Sequence, residues 1–201
     1  MRSGNIIIYT IVALKKGLYF RMVKITGTSC FLCIFAIQKE VLLCVTLVKI
    51  LKGGDTIMDI GAYCLMPNHF HFLVREKVDD GISLYMRKLL TAYAMYFNKK
   101  YKRTGRLYEN VFKSNYVGKE GYLKYLYSYI HLNPAKLINK NWRDGKKRNS
   151  IKLLKYVFSY PHSSLHEYVD AKFKIVNPSN FPKYFTKLED HRTELFGWLN
   201  F

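Results

Sequence analysis

The sequence predicts an α+β fold, and three observations carry that prediction. Residues 60–65 and 69–74 are apolar runs on either side of Pro67-Asn68, which reads as two strands, or one broken strand, around a turn. From Ile82 to Tyr101, Met86, Leu89, Leu90, Tyr93 and Phe97 recur at helical spacing. Glu120 to Asn133 reads as a second helix, with Leu123, Leu126 and Ile130 on one face and Pro134 as its stop.

The connecting segments follow from their turn chemistry. Asp79-Asp80-Gly81 is a turn and a helix start, and residues 107–117 are mixed, with a strand at their end. The stretch 136–155 is basic and polar and reads as a loop or surface segment, while a short final helix falls near residues 188–199. Three zones result: an atypical N-terminal segment over 1–53, a catalytic domain over 54–160 and a C-terminal appendage over 161–201.

The chain has 201 residues with 33 Lys/Arg against 14 acids, a net charge of +19. Such a balance favours a polyanion, and nucleic acid before membrane. Seventeen Tyr and 13 Phe interleave with the cations, which suits single-stranded nucleic acid because every base offers a face to stack. The four cysteines are Cys30, Cys33, Cys44 and Cys64; one C-x-x-C without a second ligand pair makes a poor zinc site and no secreted disulfide framework. The apolar runs 30–37 and 41–50 are shorter than the roughly 20 residues of a spanning helix. The N-terminus is a poor signal peptide, so the expected location is cytoplasmic, with no membrane partner.

Chemistry concentrates in two places. In His69-Phe70-His71-Phe72 the residues alternate, so both imidazoles project to one face of a strand and both phenyl rings to the other. Paired imidazoles at i and i+2 are half of a metal site. Tyr129 and Asn133, four apart, share a helix face that is not the apolar one. A phenol can attack a phosphodiester, and an amide oxygen can bind a metal ion. Taken alone, each pattern has a plainer reading: an H-x-H pair arises incidentally, and a Tyr122/Tyr125/Tyr129 stripe is commonly packing.

Together these segments resemble the REP-associated tyrosine transposases of the insertion-sequence 200/605 type. Residues 62–74, Ala-Tyr-Cys-Leu-Met-Pro-Asn-His-Phe-His-Phe-Leu-Val, resemble that family's His-hydrophobic-His strand. Residues 104–114 resemble its Gly-x-Leu-Trp-Glu segment, with Tyr108 in place of Trp. Residues 129–134 resemble its Tyr-Ile-x-Leu-Asn-Pro helix end, and 160–165 its Tyr-Pro-Trp-Ser-Ser-Tyr with two aromatics lost. The match spans roughly residues 57–170.

The resemblance implies a ferredoxin-like antiparallel sheet with helices packed on one face. It implies His69, His71 and Asn133 as ligands of Mg²⁺ or Mn²⁺, and Tyr129 as a nucleophile that leaves a 5′-phosphotyrosine. It also implies a single-stranded or hairpin DNA partner, contacted by Lys99, Lys100, Lys102, Arg103, Arg106 and Lys113, with the protein a monomer or homodimer. His131 points off the Tyr129–Asn133 face and stays outside the site.

Residues 1–53 depart from that family. They hold eight Lys/Arg and one acid, Glu40, and lack the family's opening Tyr-His-x-x-x-Arg-Gly strand and acidic helix start. Codons exist for which a shifted frame restores both motifs, so the segment reads either as a frameshift product or as a genuinely divergent N-terminus, with the first strand lost or altered. Two alternatives follow: a catalytically inactive DNA-binding remnant, and a zinc or membrane-associated protein built on Cys30 and Cys33.

Overall fold

Six of the seven residues in Ile6–Val12 are β-branched, a composition that suits an extended chain. They form strand β1. The strands β2 (Met58–Leu65) and β3 (His69–Glu76) follow, then helix α1 (Gly81–Lys100), a two-residue strand β4 (Asn115–Tyr116) and helix α2 (Glu120–Leu132). Beyond them lie α3 (Ala135–Ile138), α4 (Ser150–Ser159), α5 (Leu165–Val169), a 3₁₀ turn (Pro178–Asn180) and α6 (Leu188–Asn200). This computed structural model describes residues 6–12, 56–67, 69–108, 112–118, 120–143, 149–185 and 187–200. Cys30, Cys33, Cys44 and most of the atypical 1–53 segment lie outside the described residues.

The four strands form one antiparallel sheet in the order β2-β3-β1-β4, the strand order of a ferredoxin-like fold. β1 pairs β3 along its whole length, from Ile6 opposite Arg75 to Val12 opposite His69. Of the two expectations for the first strand, lost or altered, the structure fits the second. Its sequence is unlike the family's, but its main chain fills the central place and leaves no open edge on β3.

A correction concerns the helices. On β3, Phe70, Phe72 and Val74 join Tyr85, Met86 and Leu89 of α1 in one core cluster. Leu73, from the alternate register, joins Leu123, Leu126 and Ile130 of α2 in another. Alternating residues of a strand point to opposite faces, so α1 and α2 cover opposite faces of the sheet rather than one. Burying each such large apolar side chain contributes about 1.5–3 kcal/mol.

A second correction falls on residues 136–155, read as a loop or surface segment. They contain most of α3 and the first part of α4. The Asn149 side chain accepts from the Lys152 N–H at 2.9 Å and caps α4, whose Leu153 and Val157 pack against Leu195 and Leu199 of α6. Lysines on the outer face hid this apolar spacing.

The outer edge of β2 is covered by residues 160–181. Leu65 N–H donates to His162 O at 2.9 Å, Ser164 N–H to Tyr63 O at 2.9 Å, and Asn177 N–H to Ile60 O at 2.8 Å. The Asp59 carboxylate accepts from Asn177 Nδ2 at 3.1 Å and Asn180 Nδ2 at 2.7 Å. The buried Glu167 carboxylate gathers the N–H groups of Lys174, Ile175 and Val176 and accepts the Tyr63 hydroxyl at 3.1 Å. Gly61 lies at an irregularity in the β2–β3 register. A Cβ there would come within 2.6 Å of the Phe181 ring, so the strap lies tightly on the strand only because residue 61 has no side chain.

Candidate metal and nucleophile site

β3 and α2 bring the four candidate residues together. The His69 and His71 ring centroids are 4.8 Å apart, and His71 is 5.5 Å from the Tyr129 ring. The alternation of β3 turns both imidazoles toward α2, away from Phe70 and Phe72. Tyr129 is half-buried on the flank of α2, with Leu126 and Ile130 carrying the helix onto the sheet.

Asn133 ends α2, where Pro134 offers no N–H and the helix stops. Its Nδ2 donates to the Tyr129 carbonyl at 2.9 Å, and its Oδ1 accepts from Lys136 Nζ at 2.9 Å. These two contacts fix the amide with its oxygen toward a cation.

Electrostatics keep the imidazoles neutral. Burial, then the Lys136 ammonium, lowers His69 to about 4. Burial, then His69, Lys136 and Arg143, lowers His71 to about 3. His71 is 3% exposed, and neither of its ring nitrogens has a hydrogen-bond partner. A buried polar group without a partner is costly, on the order of 1–3 kcal/mol, and such groups cluster at functional sites.

The residues fit a divalent ion on this observation: two neutral imidazoles, one with unused nitrogens, and an amide oxygen that accepts from Lys136, the ammonium that also lowers both imidazoles. Three protein ligands leave room for water and phosphate oxygens. Among the described residues no group of three or more His, Cys, Asp or Glu could hold a metal ion. Cys64, opposite His71 on β2, is fully buried, and burial pushes its thiol up, away from the thiolate form that binds metal.

Two site cations were missed from the sequence. Arg143 lies 4.8 Å and Lys136 Nζ 5.4 Å from the centroid of the Tyr129 ring. Lys136 follows Asn133 by three residues and was readable in principle. Arg143 arrives through the turn after α3, which spacing alone does not reveal.

The six cations assigned to DNA contact lie elsewhere. Lys99 and Lys100 end α1, and Lys102 adopts a positive φ of 49° in the loop that follows. Arg103 donates to Asn98 Oδ1 at 3.2 Å and lies over the Phe97 ring. Arg106 lines a groove with Arg87, Asn98 and Phe112, and Lys113 is exposed just beyond it. This basic segment belongs to the α1 side of the sheet, whose core holds Phe97 and Leu107. His131 is buried away from the site, with Nε2 2.8 Å from Ser164 Oγ, as its place off the Tyr129–Asn133 face suggested.

Among the described residues no helix is long and apolar enough to cross a membrane. Residues 47–133 match the family model of IS200-like transposases. Among solved structures, a REP-associated tyrosine transposase bound to a REP hairpin is similar in fold, with a TM-score of 0.53 at 15% identity, covering 89% of this chain and 86% of that one. No curated protein matches. The resemblance read from the motifs thus holds on two grounds: the segment carrying His69, His71, Tyr129 and Asn133 is matched by the IS200-like transposases, and the fold around it by a REP-associated tyrosine transposase.

Proposed function

We propose that this chain is a metal-dependent, single-strand DNA endonuclease and strand transferase with Tyr129 as nucleophile. The observation that carries the reading is the Tyr129 ring lying 5.5 Å from a buried, neutral His71 whose ring nitrogens are unpartnered. His69, His71 and the Asn133 amide oxygen would hold Mg²⁺ or Mn²⁺. The bound ion supplies Lewis-acid polarisation of the scissile phosphate.

The chain's own residues do the rest. The Tyr129 phenol oxygen bonds to phosphorus and gives up its proton to solvent. The bond from phosphorus to the 3′ oxygen breaks, and that oxygen takes a proton. The products are a 5′-phosphotyrosine ester and a free 3′-hydroxyl, so the ester can be passed to another strand without an external energy source. Lys136 and Arg143 place positive charge where the attacking phenol and the phosphate carry negative charge. Lys99, Lys100, Lys102, Arg103, Arg106 and Lys113 would track the phosphate backbone.

The similar solved structure holds a REP hairpin, which makes a hairpin-bearing single strand the substrate to test. Incubation with Mn²⁺ should yield a DNA adduct that survives denaturing electrophoresis and disappears in Tyr129→Phe. A second reading, a DNA-binding remnant without catalysis, draws on the Lys136 ammonium already seated on Asn133 Oδ1. Hairpin binding without any adduct would select it.

A further inference from the structure

Tyr129 is the inner end of a row of aromatic rings that continues outward along α2. Tyr125 lies 6.0 Å from Tyr129 with the planes 34° apart, and Tyr122 lies 5.8 Å from Tyr125 with the planes 24° apart. Trp198 of α6 meets Tyr125 edge-on at 5.1 Å and walls one side of the row. Its indole is anchored, with Nε1 donating to Glu194 Oε1 at 3.0 Å, and Glu194 is held in turn by Lys124 at 2.9 Å. Packing does not account for the outer end: Tyr122 is 48% exposed and Trp198 37%.

We infer that this row is a stacking platform for the bases flanking the scissile phosphate on a single DNA strand. The inference rests on the proposed nucleophile role of Tyr129. The row is continuous with that residue, and the end nearest the phosphate carries two cations, Lys136 and Arg143. A strand needs this order: charge at the phosphate, then flat apolar faces for unpaired bases. Seven residues of helix separate Tyr122 from Tyr129, about 10 Å at about 1.5 Å per residue. At the stacked spacing of about 3.4 Å per nucleotide, Tyr122 would meet a base about three nucleotides from the cut. Stacking is indifferent to base identity, so the platform would hold the strand in line without reading sequence.

The test uses the full chain and a labelled DNA hairpin carrying a single-stranded oligothymidylate tail, which fixes the register, with affinity measured by fluorescence anisotropy over a range of salt. Tyr122→Ser should weaken binding about tenfold, the lower-to-middle range for loss of one stacked base. Tyr122→Phe, which keeps the ring face, should bind like the unaltered protein. The slope of affinity against salt should be the same in all three, because no phosphate contact is lost. Shortening the tail should erase the difference between the unaltered protein and Tyr122→Ser. Trp198 is the exposed one of two tryptophans, and its emission should fall as bases stack beside it. Equal affinity of Tyr122→Ser and the unaltered protein would overturn the inference. So would equal weakening by Phe and Ser, a difference that survives shortening of the tail, or no change in indole emission. These measurements read binding alone, so absence of a covalent adduct would count against the Tyr129 mechanism and leave the platform standing or falling by itself.

Discussion

The two faces of β3 are built from alternate residues of one strand, yet they obey different rules. The α1 face is hydrocarbon: Phe70, Phe72 and Val74 are each at most 6% exposed and meet apolar partners. The α2 face carries His69 and His71 beside Leu73, and His71 is as deeply buried as its neighbours without a hydrogen-bond partner. Both faces supply burial that holds the sheet together. The α2 face in addition keeps an uncompensated polar group, which stability alone would not select. A single strand can thus add chemistry to burial at a spacing of one residue.

The largest expected effect breaks the hydrocarbon face. Phe72→Ala should cost about 3–5 kcal/mol in urea unfolding, by lost burial and a residual cavity. A loss under about 1 kcal/mol would mean that the α1 face is not the main core.

The next effect belongs to the buried imidazoles. His71 and His131 are held at about 3, below the unfolded value near 6.5, with burial the first cause in both. Above pH 6.5 these rings are neutral in both states, and the stability they allow is fully present. As pH falls below 6.5 the unfolded chain takes up protons that the folded chain refuses until about pH 3. Stability should therefore fall by about 2 kcal/mol per fully buried imidazole between pH 7 and pH 5. A flat profile over that range would refute the neutral, buried state.

His71→Leu fills the same space without polar nitrogens. It should raise stability by about 1–2 kcal/mol while removing Mn²⁺ binding, followed by calorimetry. A destabilised variant would place the imidazole in contacts that matter for folding. The smallest effect concerns the protein's own cation. Lys136→Met should tighten Mn²⁺ binding several-fold, equivalent to about 1 kcal/mol, by removing a like charge from the Asn133 oxygen. Unchanged affinity would show that the ammonium does not compete for that oxygen.

The contrast between the faces was legible in the sequence, because period-two alternation needs no tertiary information. His69 and His71 fell opposite Phe70 and Phe72 as read, and Tyr129 and Asn133 shared a helix face as read. The layer to which α2 belongs was not legible. Spacing tells which residues share a face, but not which side of the sheet that face meets. α4 was missed because Lys152 and Lys155 surround its inward Leu153 and Val157, leaving a segment that looks uniformly polar. Arg143 was missed because a loop, not a period, carries it to Tyr129. β1 was passed over because its run of β-branched residues has no alternation to mark it.

The strap on β2 bears on where this molecule can be cut. The stretch matched by the transposase family, residues 47–133, contains the β2–β3 hairpin but neither of its flanking partners. β1, at residues 6–12, closes one side, and residues 160–181 close the other. Excised, the stretch would present two bare rows of amide and carbonyl groups on an apolar hairpin, a template for joining its own copies into aggregates. The unit that inheritance marks and the unit that can stand alone in water have different boundaries. An expression fragment drawn along the first would keep His69, His71, Tyr129 and Asn133 but lose Lys136, Arg143 and the walls that hold the site in place.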